Sequence, residues 1–167
     1  MQAKEIMTFP VFTVRPDTPV AHIARLLREQ HISGVPVVDD AGKVVGIVTE
    51  LDLIKRHARI HFPIYLPFLD SLIFLESPRR YQEDVRHALG TSARDIMSQP
   101  VRTATPETDV EEIATLMVEE RTNPVPILDE QGALVGIVSH TDVVRLVEQA
   151  EAGGSAEEST STLSSMD

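Results

Sequence analysis

Two phrases in the chain carry residue types that could do chemistry, GIVTELDLIK beginning at Gly46 and GIVSHTDVVR beginning at Gly136. In each, a hydroxyl residue stands three positions before an aspartate, Thr49 before Asp52 and Ser139 before Asp142, where an apolar run gives way to helical spacing. A strand that runs straight into a helix presents backbone N–H groups at the helix N-terminus, where hydrogen bonds and the dipole favour a phosphate. The hydroxyl adds a donor, and a carboxylate can accept two hydrogen bonds from a cis-diol. The same spacing also caps a helix, with the hydroxyl serving one N–H and the acid serving the dipole. On spacing alone the two readings stand level, and one exposed helix start can do both.

The phrases differ after the hydroxyl. The first has Glu50, an acid unwelcome beside a phosphate; the second has His140, which can donate a hydrogen bond or carry charge. Ser139, His140 and Asp142 are therefore the stronger candidates. Ser33-Gly34 and Asn123-Pro124 pull the other way, because Gly34 permits close backbone approach and Pro124 removes a donor. Basic residues for a polyphosphate are few. Arg121 matches His31 just before the second apolar strand, while Lys55 and Arg145, after the aspartates, are expected to face solvent.

Other chemistries lack their residues. With no cysteine there is no disulfide framework, thiolate zinc site or cysteine nucleophile. His57 and His61 have i, i+4 spacing but no evident third ligand, and Pro63 limits any helix there, so no metal site is expected. Neither G-x-S-x-G nor a phosphate-binding P-loop occurs, and no enzymatic activity is expected.

The elements that must position these residues come in duplicate. Sliding the sequence against itself gives a gapless match at an offset of 90, residues 3–55 over 93–145, with 22 of 53 positions identical. Within each copy Thr18 and Thr108 are placed to cap a helix, with Pro19 at the first helical position in one and Thr108-x-x-Glu111 forming a capping box in the other. Val20, Ile23, Ala24 and Leu27 then recur at helical spacing, as do Val110, Ile113, Ala114 and Met117. The runs VPVV and VPIL, the turns DDAGK and DEQGA, and the runs VVGIV and LVGIV follow as strand, turn and strand, apolar enough to be covered on both faces. With a last helix, each copy reads β-α-β-β-α, its short opening strand lying near Val11 to Val14 or Val101 to Ala104.

These residues resemble the CBS domain, named after cystathionine β-synthase and usually found in tandem. The likeness rests on DIM with a following proline and Val-x-Thr, on the V-P-V/I strand, and on the closing G-I-V-[TS]-x-x-D, and it covers nearly two thirds of the chain. It implies an α/β fold of two pseudo-twofold-related repeats with clefts between the copies. Those clefts commonly bind AMP, ADP, ATP or S-adenosylmethionine. It further implies that Asp52 and Asp142 take ribose hydroxyls while Thr49 and Ser139 approach phosphate. By the same resemblance the adenine pocket is lined by Thr13 and Val35-Pro36-Val37, and by Thr103 and Val125-Pro126-Ile127, with Ser33 and Asn123 alongside.

The expected layout is repeat 1 at 3–55, a largely helical apolar insert at 56–92, repeat 2 at 93–149 and a disordered acidic, Ser/Gly-rich tail at 150–167. Within the insert, Ser77 and Pro78 start a helix that Gly90 ends, after an apolar stretch, HFPIYLPFLDSLIFLE, that packs on a core or a partner subunit. Of the 167 residues 42% are apolar, but only 4% are aromatic and none is Trp, so the cores must be aliphatic. A net charge of −11 argues against non-specific nucleic-acid binding. No signal-peptide pattern and no apolar run of ~20 residues occurs, which leads to the expectation of a cytoplasmic protein off the membrane. The resulting expectation is a cofactor-free adenine-nucleotide sensor, homodimeric, read by a regulated protein partner. The alternative is a constitutive homodimeric interaction module with vestigial clefts.

Overall fold

The structure, a computed structural model, describes residues 1–56, 65–68, 71–74 and 90–161. From the first copy come α1 (Ala3–Ile6), α2 (Val20–Gln30), β1 (Gly34–Val38), β2 (Val44–Thr49) and α3 (Glu50–Lys55). The second repeats them as α4 (Ala93–Ile96), α5 (Val110–Glu119), β5 (Val125–Leu128), β6 (Leu134–Val138) and α6 (His140–Ser161). Between the copies β3 (Tyr65–Phe68) and β4 (Ser71–Phe74) form an antiparallel hairpin with Tyr65 opposite Phe74. Pro67 is tolerated there because both strands of a two-stranded ribbon are edges. The helix expected after Ser77 and the pair His57 and His61 lie outside the described residues. Helix α6 is assigned through Gly153 and Gly154 to Ser161, so regular structure extends into the stretch whose composition leads one to expect a disordered tail.

Each copy's two strands pair antiparallel, β1 with β2 and β5 with β6, and the register of each slips by one residue near its end, at Val37/Val38 and Ile127/Leu128. The polar turn between them is tied by one aspartate. Asp39 Oδ1 accepts from the Ala41 and Lys43 N–H at 2.9 Å, and Asp129 Oδ1 does the same for Gln131 and Ala133. Gly42 and Gly132 close the turns at φ of 77° and 80°, a region open to glycine. The short opening strand is reduced to one residue in each copy. Val14 and Ala104 bridge parallel to Val37 and Ile127.

The helix starts fall one residue later than the hydroxyls suggest. Pro19 and Asp109 are the cap residues, and neither makes a side-chain cap bond. Thr18 and Thr108 instead accept the N–H of Arg15 and Thr105, closing the turn ahead of the helix. A threonine oxygen can serve either orphan donor, and here it serves the turn.

The chain divides into two compact units that do not follow the repeat. One is Phe12–Val101; the other joins Met1–Val11 to the chain from Arg102 onward. Each unit therefore takes its sheet and long helix from one copy and its short opening helix from the other. In the first, Ser98 exchanges backbone bonds with Ile47 at 2.8 and 3.2 Å, and Ala93 N–H donates to Thr18 at 2.9 Å. In the second, Thr8 pairs with Ile137 at 2.8 and 3.1 Å, and Ala3 N–H donates to Thr108 at 2.8 Å. The borrowed segment satisfies the outer edge of β2 or β6, which would otherwise be open.

Burial follows the same exchange. Val20, Ile23 and Leu27 of α2 pack with Val35, Val37 and Val48, and with Ala93 and Ile96 from α4. Ile113 and Met117 of α5 pack with Val125, Ile127 and Val138, and with Ala3 from α1. Both strand glycines lie under a borrowed methionine: a Cβ on Gly46 would stand 2.8 Å from Met97 Cγ, and one on Gly136 2.9 Å from Met7 Cγ. Gly46→Ala must displace Met97, and we expect it to lower stability by about 1–3 kcal/mol in urea unfolding. An unchanged midpoint would mean that the borrowed segment does not sit tightly on β2.

Candidate functional site

At the end of β2 the chain passes directly into α3, and the two residues singled out in the sequence meet there. Asp52 Oδ2 accepts both the Thr49 backbone N–H and the Thr49 hydroxyl, each at 2.8 Å, while Asp52 N–H donates to Thr49 Oγ1 at 3.3 Å. The β6 to α6 junction repeats the arrangement, with Asp142 Oδ2 accepting Ser139 N–H at 2.8 Å and Ser139 Oγ–H at 2.7 Å. The carboxylates are the buried acids among the described residues, Asp52 at 1% exposed and Asp142 at 7%. A buried carboxylate is held only where hydrogen bonds replace its water, and the capping box supplies them. The full capping box is realised at the first junction; at the second the aspartate caps Ser139 N–H, while Asp142 N–H donates to the Ser139 carbonyl at 3.1 Å rather than to its hydroxyl.

The second carboxylate oxygens differ. Asp52 Oδ1 accepts the Ser98 hydroxyl at 3.1 Å and faces Lys55 Nζ at 3.6 Å. Asp142 Oδ1 faces Arg145 at 3.7 Å and takes no hydrogen bond from any described residue. Lys55 and Arg145 stay about half or more exposed, as expected for solvent-facing residues, yet each leans toward its aspartate. Such partly exposed pairs contribute little to stability. Sequence reasoning missed Ser98 and its counterpart Thr8. The signal was present, since the offset of 90 pairs them as hydroxyl residues two positions before Pro100 and Pro10.

The helix starts are less open to an anion than the sequence suggests. Glu50 N–H donates to the Ser33 carbonyl at 3.0 Å, and His140 N–H to Asn123 Oδ1 at 2.8 Å. One strand-to-helix crossing uses backbone where the other uses a side chain. Ser33 and Asn123 thereby lie against the first residue of the helix that carries the aspartate. Glu50 and His140 side chains are exposed.

Every residue assigned to the first site falls in one unit and every residue assigned to the second in the other. Thr13 is exposed beside the Val14 bridge, and Thr103 is exposed beside Ala104. Val35, Pro36 and Val37 are buried in β1, as are Val125, Pro126 and Ile127 in β5. The valines and Ile127 belong to the aliphatic cores, so what these strands offer a ligand is backbone placement rather than side-chain surface. Arg121 is exposed, in a left-handed conformation matched by His31, and makes no ion pair among the described residues.

A groove of about 590 Å³ in the unit Phe12–Val101 lies elsewhere. It runs between Pro19, Ala24, Leu53 and Ile54 and is mostly apolar. Its walls lack the paired hydroxyl and carboxylate of the junctions. No group of three or more His, Asp or Glu suited to a metal ion occurs among the described residues. None of their helices is long and apolar enough to cross a membrane.

The family model described as CBS domain matches residues 3–59 and 93–149. The uncharacterized protein MJ1426 of Methanocaldococcus jannaschii is 33% identical over 151 residues, covering 86% of this chain and 89% of that protein. The chloroplastic CBS domain-containing protein CBSX1 of Arabidopsis thaliana is 30% identical over 84% of this chain, which spans only 61% of that protein's length. Among solved structures, CBSX2 in complex with AMP superposes with a TM-score of 0.71 at 28% identity, covering 89% of this chain and 97% of that one. The CBS domain pair of protein MJ0100, in complex with 5-methylthioadenosine and S-adenosyl-L-methionine, superposes with a TM-score of 0.66 at 25% identity, covering 88% and 99%.

Proposed function

Because the chain belongs to the CBS-domain family, with two copies of the domain, we propose that it binds an adenosine-containing small molecule and passes its occupancy to a regulated protein partner. The observation that carries this reading is the buried carboxylate built twice at a strand-to-helix junction, with the second oxygen of Asp142 left open to a ribose cis-diol. The likeness to CBSX2, crystallised with AMP, supports the ligand class. A buried carboxylate oxygen without a hydrogen-bond donor carries an unmet solvation demand, and two hydroxyls meet it. With the Ser139 hydroxyl bound to Asp142, the exposed His140 is the neighbour suited to a phosphate, and AMP, ADP and ATP fit that chemistry before S-adenosylmethionine.

We read the role as regulatory, the junction offering a cap and a diol acceptor. A ligand shifts an equilibrium only by as much as it binds one arrangement better. Each copy leaves an aliphatic residue exposed at the matching position of its closing helix, Ile54 at 64% and Val144 at 65%, a surface suited to a second protein chain, whether the partner or another copy.

A thermal-shift panel of AMP, ADP, ATP, S-adenosylmethionine and NAD tests the reading. At a hundredfold excess over Kd, binding to the folded state adds about 2.7 kcal/mol, which raises the midpoint by about 5–10 °C for a chain of this size. No rise with any member at millimolar concentration would leave the interaction-module reading in its place.

A further inference from the structure

Resting on the adenosine-binding reading, we propose that the two junctions are unequal by construction: each chain binds one adenosine ligand, at Asp142, and Ser98 keeps Asp52 from taking a second. A carboxylate has about four lone-pair positions. At Asp52 three are filled, two on Oδ2 by the Thr49 N–H and hydroxyl and one on Oδ1 by the Ser98 hydroxyl at 3.1 Å, so the two hydrogen bonds of a diol no longer fit on Oδ1, with Lys55 Nζ at 3.6 Å close by. At Asp142 the Oδ2 pair is filled by Ser139 in the same way, but among the described residues Oδ1 has only Arg145, at 3.7 Å, beyond hydrogen-bond length. A diol arriving at Asp52 must displace an existing bond; one arriving at Asp142 does not.

The residue that decides this comes from the opening segment each unit borrows. Ser98 and Thr8 are held alike, each exchanging two backbone bonds with the strand that leads into the aspartate, Ile47 in one case and Ile137 in the other. The backbone delivers a hydroxyl to the same place twice. Only the side chain differs. Serine turns freely about χ1, and its hydroxyl reaches Oδ1. Threonine is β-branched and stiff at χ1, and its hydroxyl makes no bond to Asp142. One methyl group therefore separates an occupied acceptor from an open one. Glu50 beside the occupied acceptor and His140 beside the open one bias an anionic ligand in the same direction.

Isothermal titration of the full chain with AMP and with adenosine, the second lacking the phosphate that Glu50 would repel, tests the inference. The wild-type chain takes one equivalent of AMP. Ser98→Ala frees Asp52 Oδ1 and takes two equivalents of adenosine. Thr8→Ser brings a rotatable hydroxyl to Asp142 Oδ1 and weakens AMP binding about tenfold at unchanged stoichiometry. Both substitutions are small, and circular dichroism verifies the fold of each. Two equivalents of AMP on the wild-type chain, one equivalent of adenosine on Ser98→Ala, or full AMP affinity in Thr8→Ser would each overturn the inference while leaving adenosine binding intact. Binding by none of the three proteins would overturn the adenosine reading and this inference with it.

Discussion

Asp142→Asn is expected to weaken adenosine-ligand binding by about 100-fold or more while the protein stays folded. The amide keeps one oxygen, which can still accept the Ser139 N–H and hydroxyl at the position of Oδ2. Its NH2 then stands where Oδ1 was, and a donor faces the two hydroxyl donors of the ribose. Two hydrogen bonds to a charged acceptor, each of about 1.5–3 kcal/mol, are lost together. Stability falls far less. The cap survives, and the Arg145 pair that disappears is mostly exposed, at 61% for the arginine side chain. Asp142→Ala is the poorer experiment because it removes cap and acceptor at once, leaving the Ser139 N–H without its partner at a loss of roughly 1–2 kcal/mol for the cap alone. Titration and thermal unfolding of Asp142→Asn check the two halves separately. Wild-type affinity in this variant would move the diol site away from the second junction.

Ile96→Ala is expected to destabilise the protein by about 2–5 kcal/mol, among the largest effects of any single truncation. Ile96 is fully buried, at 0% exposed, and it lies in the aliphatic cluster of the unit that holds β1 and β2 although its own sequence copy builds β5 and β6. Truncation removes its transfer free energy and leaves a cavity that close-packed neighbours fill only in part. The exchange of opening segments makes a sharper prediction for a double-mutant cycle. Ile96→Ala should couple with Val48→Ala, by roughly 0.5–3 kcal/mol, and be additive with Val138→Ala. Coupling to Val138 and not to Val48 would mean that each copy keeps its own opening helix. Ile6, the counterpart of Ile96, is only partly buried, and its truncation should have the smaller effect.

The borrowed segments also explain why part of the site escaped a reading of local pattern. Thr49 with Asp52 and Ser139 with Asp142 are three residues apart, so their meeting is a property of the strand-to-helix turn and visible in any sequence that forms one. Ser98 reaches Asp52 across 46 positions. No periodicity reports such a contact. The helix starts teach the same lesson on a smaller scale. Thr18 and Thr108 are correct capping residues by type, yet each closes the preceding turn by accepting the N–H of Arg15 or Thr105.

By itself, then, the sequence determined what short-range physics controls: the duplication, the amphipathic α2 and α5, the paired strands with their Asp-anchored glycine turns, and the hydroxyl–aspartate pair at the start of each closing helix. Periods of 3.6 and 2 residues, cap types and turn chemistry act within a few positions of the chain, and a gapless repeat shows them twice. Only the tertiary structure decided which opening segment covers which sheet. The two segments are alike in their apolar residues, Ile6 beside Ile96 and Met7 beside Met97, so hydrophobicity does not distinguish a copy's own segment from the other's. The exchange in turn decided what each aspartate meets at its second oxygen. A serine and a threonine that look equivalent in sequence become an occupied acceptor and an open one because hydrogen bonding depends on a rotamer and a few tenths of an ångström, which composition and spacing do not encode.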